Sequence, residues 1–100
     1  MLLAFSISPQ TSDQPDGSVS QAVAAAVRVV RESGLPNETT SMFTTVEGEW
    51  EDVMAVVKRC VDAVAERMPR ISLVMKADIR PGHTGQLTAK VERIEKILDS

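Results

Sequence analysis

The residues with the most chemical capacity cluster in Thr45-Val46-Glu47-Gly48-Glu49-Trp50, where two carboxylates flank a glycine and run into the only tryptophan. A carboxylate at a strand end can accept hydrogen bonds or face a cation, and an indole can offer a stacking face or anchor a helix. Alternation puts Ser6, Ser8, Thr45, Glu47, Lys76 and Asp78 on one side of their strands, hence on one sheet face. Two readings of this set stand side by side. Glu47 could hold a polar or cationic ligand with Ser6 and Thr45, or it could pair with Lys76 across the sheet or between subunits. Trp50 could stack on a ligand or fix the start of its helix.

The other reactive side chains lack partners. Cys60 falls on the apolar stripe of a helix with no histidine near it in sequence, which describes a small buried hydrophobe. His83 is the only histidine and sits in a glycine loop without Cys or His at ligand spacing, so no metal site is expected. With that histidine unsupported, no Ser-His-Asp or Cys-His set is assembled. Arg80-Pro81-Gly82-His83-Thr84-Gly85 could offer amides and a guanidinium to phosphate, but it lacks P-loop spacing and reads as a connector. Met42, Met54, Met68 and Met75 read as fillers of core and interface. Neither an enzyme nor a cofactor is indicated.

These residues must be positioned by a chain of 100 residues, the length of one domain spanning 1–100. It is 43% hydrophobic and 25% charged, with a net charge of −3. Such a balance argues against nucleic acid or an anionic membrane as partner. A single cysteine fits a reducing compartment, and the short apolar start, with no basic segment before it, reads as a strand rather than a signal peptide. No apolar run approaches the ~18 residues of a membrane span. The cytoplasm is the expected location.

Leu2 to Ser8 alternates as a half-buried strand, followed by a polar loop from Pro9 to Gly17. Ser18 and Gln21 form a capping box for a first helix, with Val19, Val23, Val27 and Val30, plus Ala22 and Ala26, as its buried stripe. Gly34 and Pro36 end it. Asn37 to Ser41 and Phe43 to Glu47 then make a hairpin with a turn near Ser41-Met42. A second helix follows, its acidic first turn holding Glu49, Glu51 and Asp52 and its stripe running from Trp50 and Val53 to Met68, with Pro69 as its stop. Arg70 to Ile79 is a fourth strand. Leu87, Val91, Ile94 and Leu98 mark a terminal amphipathic helix.

The order βαββαβ plus a C-terminal helix predicts an α+β, ferredoxin-like sandwich: an antiparallel four-stranded sheet with two helices on one face. The first and third strands would be central. The other sheet face has no helix of its own except the last, and Val74 and the apolar terminal helix call for a second subunit to cover it.

Several stretches are similar to the thiamine-binding-protein-like family. They are Thr44-Thr45-Val46-Glu47-Gly48-Glu49-Trp50 with Asp52-Val53-Met54, Ala26-Val27, Glu32-Ser33-Gly34-Leu35 and Lys58-Arg59-Cys60. Arg70-Ile71, Lys76, Arg80, Gly82, Gly85, Leu87, Lys90-Val91 and Glu92 extend the match over nearly the whole chain. The chain departs from the family's pattern at Ile79, where a second acid is frequent, and near Leu73 and Val74, where threonines are. The resemblance implies a ferredoxin-like subunit assembled as a homotetramer, a dimer of dimers. It also implies a non-catalytic protein that binds thiamine or its hydroxymethylpyrimidine half. An aminopyrimidine needs an acceptor for its amine and a carboxyl or hydroxyl at a ring nitrogen. Glu47, Ser6 and Thr45 could supply these, with Ser8, Trp50 or Lys76 shaping the site. The alternative is an oligomeric structural or interaction protein with no small-molecule site.

Overall fold

The structure, a computed structural model, describes residues 1–9 and 16–99. Its elements are β1 (Leu2–Pro9), α1 (Asp16–Glu32), β2 (Asn37–Thr39), β3 (Thr44–Glu47), α2 (Trp50–Ala65), β4 (Ile71–Asp78) and α3 (Gln86–Leu98). All strand pairs are antiparallel, in the order β2-β3-β1-β4. This is the expected ferredoxin-like arrangement, with β1 and β3 central.

Register fixes the two faces, because cross-strand partners share a side. Leu3 stands between Val46 and Ala77, and Phe5 between Thr44 and Met75, on the face that α1 and α2 cover. Leu2 stands between Glu47 and Asp78, and Ala4 between Thr45 and Lys76, on the opposite face. The core joins Leu3, Phe5 and Val46 of the sheet to Val53, Val56, Val57, Cys60 and Val64 of α2. Each such valine contributes roughly 1.5–3 kcal/mol on burial.

The helices depart from expectation in three ways. First, α1 begins at Asp16, ahead of Ser18, so Ser18 is not its N-cap; of the expected loop from Pro9 to Gly17, Pro9 belongs to β1 and Asp16 and Gly17 to α1, and residues 10–15 lie outside the described residues. Second, the seam of α1 is Ala22, Ala26 and Val30, all buried, while Val23 is 39% exposed. The small side chains of Ala22 and Ala26 let that part of α1 approach α2 closely, as the 3.4 Å contact of the Cys60 thiol with the Ala26 carbonyl shows. Third, α2 ends at Ala65 rather than running to Pro69. Met68 is nonetheless buried, and its N–H still donates to the Val64 carbonyl at 3.0 Å.

The hairpin turn has no Asn-Gly or Asp-Gly. Thr40 closes it: its Oγ1 accepts the Phe43 N–H at 3.2 Å, and its N–H donates to the Phe43 carbonyl at 2.9 Å. At the other end of β3 the ladder continues past the strand. The Gly48 N–H donates to the Met1 carbonyl at 3.1 Å, and the Met1 amino group donates to the Gly48 carbonyl at 2.6 Å. A Cβ on Gly48 would stand 3.2 Å from Val53 Cγ2 and 3.4 Å from Leu35 Cδ1, so a larger residue there would have to push those side chains aside by a few tenths of an ångström.

Candidate functional site

Glu47 ends β3 on the face away from α1 and α2, yet only 8% of it is exposed. The cover comes from α3. Gly85, with φ of 67°, sets the chain into α3 but supplies no side chain to cap it. Glu47 Oε2 does so from 39 residues away, accepting the Gln86 N–H at 2.8 Å. A carboxylate is well placed there, because the helix N-terminus carries partial positive charge. One turn on, Lys90 Nζ donates to Asp78 Oδ2 at 2.8 Å. Since Glu47 and Asp78 both flank Leu2, the first turns of α3 lie over the helix-free face at one end of the sheet.

Between this end of the sheet and the segment 83–88 opens a cleft of about 480 Å³. Its apolar walls come from Met1, Leu35, Pro36 and Leu87, and its acids are Glu47, Glu49 and Asp52; no lysine or arginine lines it. The volume lies within the roughly 300–1,000 Å³ typical of small-molecule sites. Glu47 also borders a recess of about 10 Å³ with Asp78, Arg80, His83 and Gln86. That is room for about one water. Beside it Gln86 Oε1 is buried without a hydrogen-bond donor among the described residues.

The structure sorts the expected site residues into separate places. Glu47 lines the cleft, and Trp50, 55% exposed, opens α2 beside it in sequence. Thr45 and Lys76 share a row with Ala4, one step inward on the helix-free face. Ser6 and Ser8 stand opposite Val74 and Ser72, four and six residues from Leu2, hence about 13 and 20 Å from the Glu47 row at strand spacing. Ser6 instead borders a groove of about 160 Å³ between α1 and the β2–β3 turn, with Phe5, Val23, Val27 and Thr44. No ion pair joins Glu47 to Lys76; those among the described residues are Lys58–Asp62 and Lys90–Asp78.

Sequence reasoning did not find Gln86, Leu35, Pro36 or Thr88 as site walls. One signal was present: a helix that begins after Gly85, with no Ser, Thr, Asp or Asn to cap it, must take its acceptor from elsewhere.

Titration states follow from these contacts. The hydrogen bond from Lys90, with the charges of Lys90, Arg80 and Lys76, holds the Asp78 carboxyl below its usual range. Burial pushes the Cys60 thiol up to about 11, against a smaller opposing effect of Arg59, and the thiol contacts the Ala26 carbonyl at 3.4 Å. Cys60 is therefore inert at neutral pH. Among the described residues no three His, Cys, Asp or Glu side chains are grouped to hold a metal ion, and no helix is long and apolar enough to cross a membrane.

Sheet order and the acid-lined cleft at the end of β3 define a ferredoxin-like α+β protein with a small-molecule-sized opening between sheet and terminal helix. The sequence pattern of the thiamine-binding protein family matches residues 3–95, and the chain belongs to that family. A Mycobacterium bovis protein of the UPF0045 group is 50% identical over 99 residues, covering 98% of this chain and 94% of its own. A UPF0045 protein of Synechocystis is 37% identical over 84 residues, 83% of this chain and 69% of that one. Among solved structures, a Bacillus cereus domain of unknown function, DUF77, superposes with a TM-score of 0.80 at 30% identity, covering 92% and 86% of the two chains. A Thermotoga maritima protein described as one of thiamine biosynthesis or salvage superposes at 0.78 with 24% identity, covering 93% and 96%; this last likeness is one of fold.

Proposed function

We propose that this chain is a non-catalytic binding protein for thiamine or a related hydroxymethylpyrimidine, held in the cleft beside Glu47. The observation that carries the reading is a buried carboxylate with one oxygen committed to the α3 N-terminus, at the wall of an apolar, acid-lined cleft. An aminopyrimidine fits it: the second oxygen of Glu47 accepts from the exocyclic amine, and the apolar walls take the ring. Thiamine's positive charge suits Glu49 and Asp52, while Trp50, exposed at the start of α2, lies outside the cleft lining and would reach a cation only at its edge, for ~0.5–2 kcal/mol. Family membership, and the thiamine salvage role ascribed to the Thermotoga neighbour, support the same ligand class.

Thr45, Lys76, Ser6 and Ser8 belong to the reading through assembly. They share the helix-free face, and they meet a ligand where a second subunit closes over that face in a cytoplasmic homotetramer. One observation favours the second reading, an assembly protein without a ligand. Val91, Ile94 and Leu98 are 59%, 57% and 73% exposed on α3, an apolar stripe that nothing among the described residues covers.

Calorimetric titration with thiamine and with hydroxymethylpyrimidine separates the two. The expected result is micromolar or tighter binding of at least one, weakened about tenfold or more in Glu47→Gln, the scale of a lost charge-assisted hydrogen bond. Glutamine keeps an acceptor for the Gln86 N–H, so the fold is retained. Binding unchanged in the variant moves the site away from Glu47, and no heat with either ligand leaves the assembly reading.

A further inference from the structure

The proposed site has a charge pattern that bears on which form of the ligand it takes. We infer that the cleft accepts the unphosphorylated thiamine cation and rejects its phosphate esters, an inference that rests on the thiamine-binding reading above.

Apart from His83, the groups at this end of the molecule that could attract a phosphate are already engaged within the chain, the Met1 ammonium by the Gly48 carbonyl at 2.6 Å and the others by, or beside, carboxylates. A helix N-terminus is an anion site in general. The N-terminus of α3 holds Glu47 Oε2 on the Gln86 N–H at 2.8 Å. The N-terminus of α2 carries Glu49 as its N-cap residue and Glu51 and Asp52 in its first turn. Lys90 is bonded to Asp78 at 2.8 Å. Arg80 borders the separate small recess with Asp78, whose carboxyl it helps to hold ionised, and does not line the cleft.

What remains facing a ligand, the His83 imidazole apart, is negative. Glu49 and Asp52 are exposed at the cleft and make no ion pair among the described residues. A thiazolium-type cation gains from both, whereas a diphosphate tail placed among three carboxylates is repelled by each. The α3 N-terminus adds little for the tail, because Glu47 Oε2 already takes the Gln86 N–H, and the acidic first turn of α2 opposes an anion there. A neutral hydroxymethylpyrimidine gains nothing from Glu49 and Asp52, so the cation is favoured over it too.

The test is calorimetric titration of the full chain with thiamine and with thiamine diphosphate in magnesium-free buffer at about pH 8, where a histidine is ordinarily neutral. The expected result is diphosphate binding at least about tenfold weaker than thiamine at about 50 mM salt, the gap narrowing at about 500 mM as the surface charges are screened. The double variant Glu49→Gln, Asp52→Asn should narrow it as well. Both positions are exposed, and an unchanged circular dichroism spectrum checks that the variant is folded. Thiamine binding with the diphosphate bound equally well or better overturns the charge selection and leaves the binding reading standing. Absence of thiamine binding overturns both.

Discussion

Glu47 shows how a residue's role is set by what folds onto it. Its place on the face without α1 and α2 follows from alternation along Thr44 to Glu47, and that much is legible in sequence. Its burial is not, because the covering group is the backbone of Gln86, 39 residues on, and no local pattern ties the two. Trp50 fails in the opposite sense. Helical spacing assigns it to the buried stripe, yet the buried seam starts one turn later at Val53 and leaves the indole 55% exposed. Cys60 is the residue whose reading needed only its neighbours in the stripe, and it leads to a prediction. Its folded-state value, about 11, lies above the ordinary 9.0, so between those pH values the folded chain holds a proton that the unfolded chain has lost. Stability is then unaffected below about pH 9 and falls as pH rises towards 11, by on the order of 2 kcal/mol. Urea unfolding at a series of pH values should show this fall in the native chain and its absence in Cys60→Ala. Equal slopes would contradict the burial of the thiol.

Among the elements, the strands were the most legible and the joins between helices the least. Period-two alternation was enough for β1 and β4, threonine-rich composition marked the hairpin strands, and the βαββαβ succession supplied their order. The seam of α1 was read too wide: Ala22, Ala26 and Val30 are buried as the stripe implied, but Val23 is 39% exposed. Packing against α2 requires the small side chains of Ala22 and Ala26. The stripe of α3 is legible, and its exposure makes it the element with most left to explain. Leu87, Val91, Ile94 and Leu98 recur at spacings of four and three, as in helices that pair along a seam. Within one chain α3 is held at its start, by Glu47 and by Lys90 on Asp78. Ile94→Arg should therefore leave thermal stability of the subunit within about 0.5 kcal/mol, as exposed substitutions do, while breaking the assembly. Light scattering at micromolar concentration checks it. The native chain is expected well above 10.9 kDa and the variant near that mass. A native chain already at 10.9 kDa would contradict the assembly.

At the scale of the molecule, a radius of gyration of 15.2 Å exceeds the ~13 Å of a compact domain this long. The chain is drawn out to 52 Å along one axis and 20 Å along another. An exposed terminal helix and a sheet face bearing Thr45, Lys76 and Val74 fit a subunit shaped for company. The cleft stands at the junction of these features: sheet end below, α2 start at one side, α3 start above. The measurement that tests the central claim most directly is a crystal structure grown with thiamine. The account predicts the aminopyrimidine within hydrogen-bonding distance of Glu47 in the cleft between Leu35 and Leu87. Thiamine bound instead in the groove between α1 and the β2–β3 turn, or an empty cleft at saturating ligand, would contradict it.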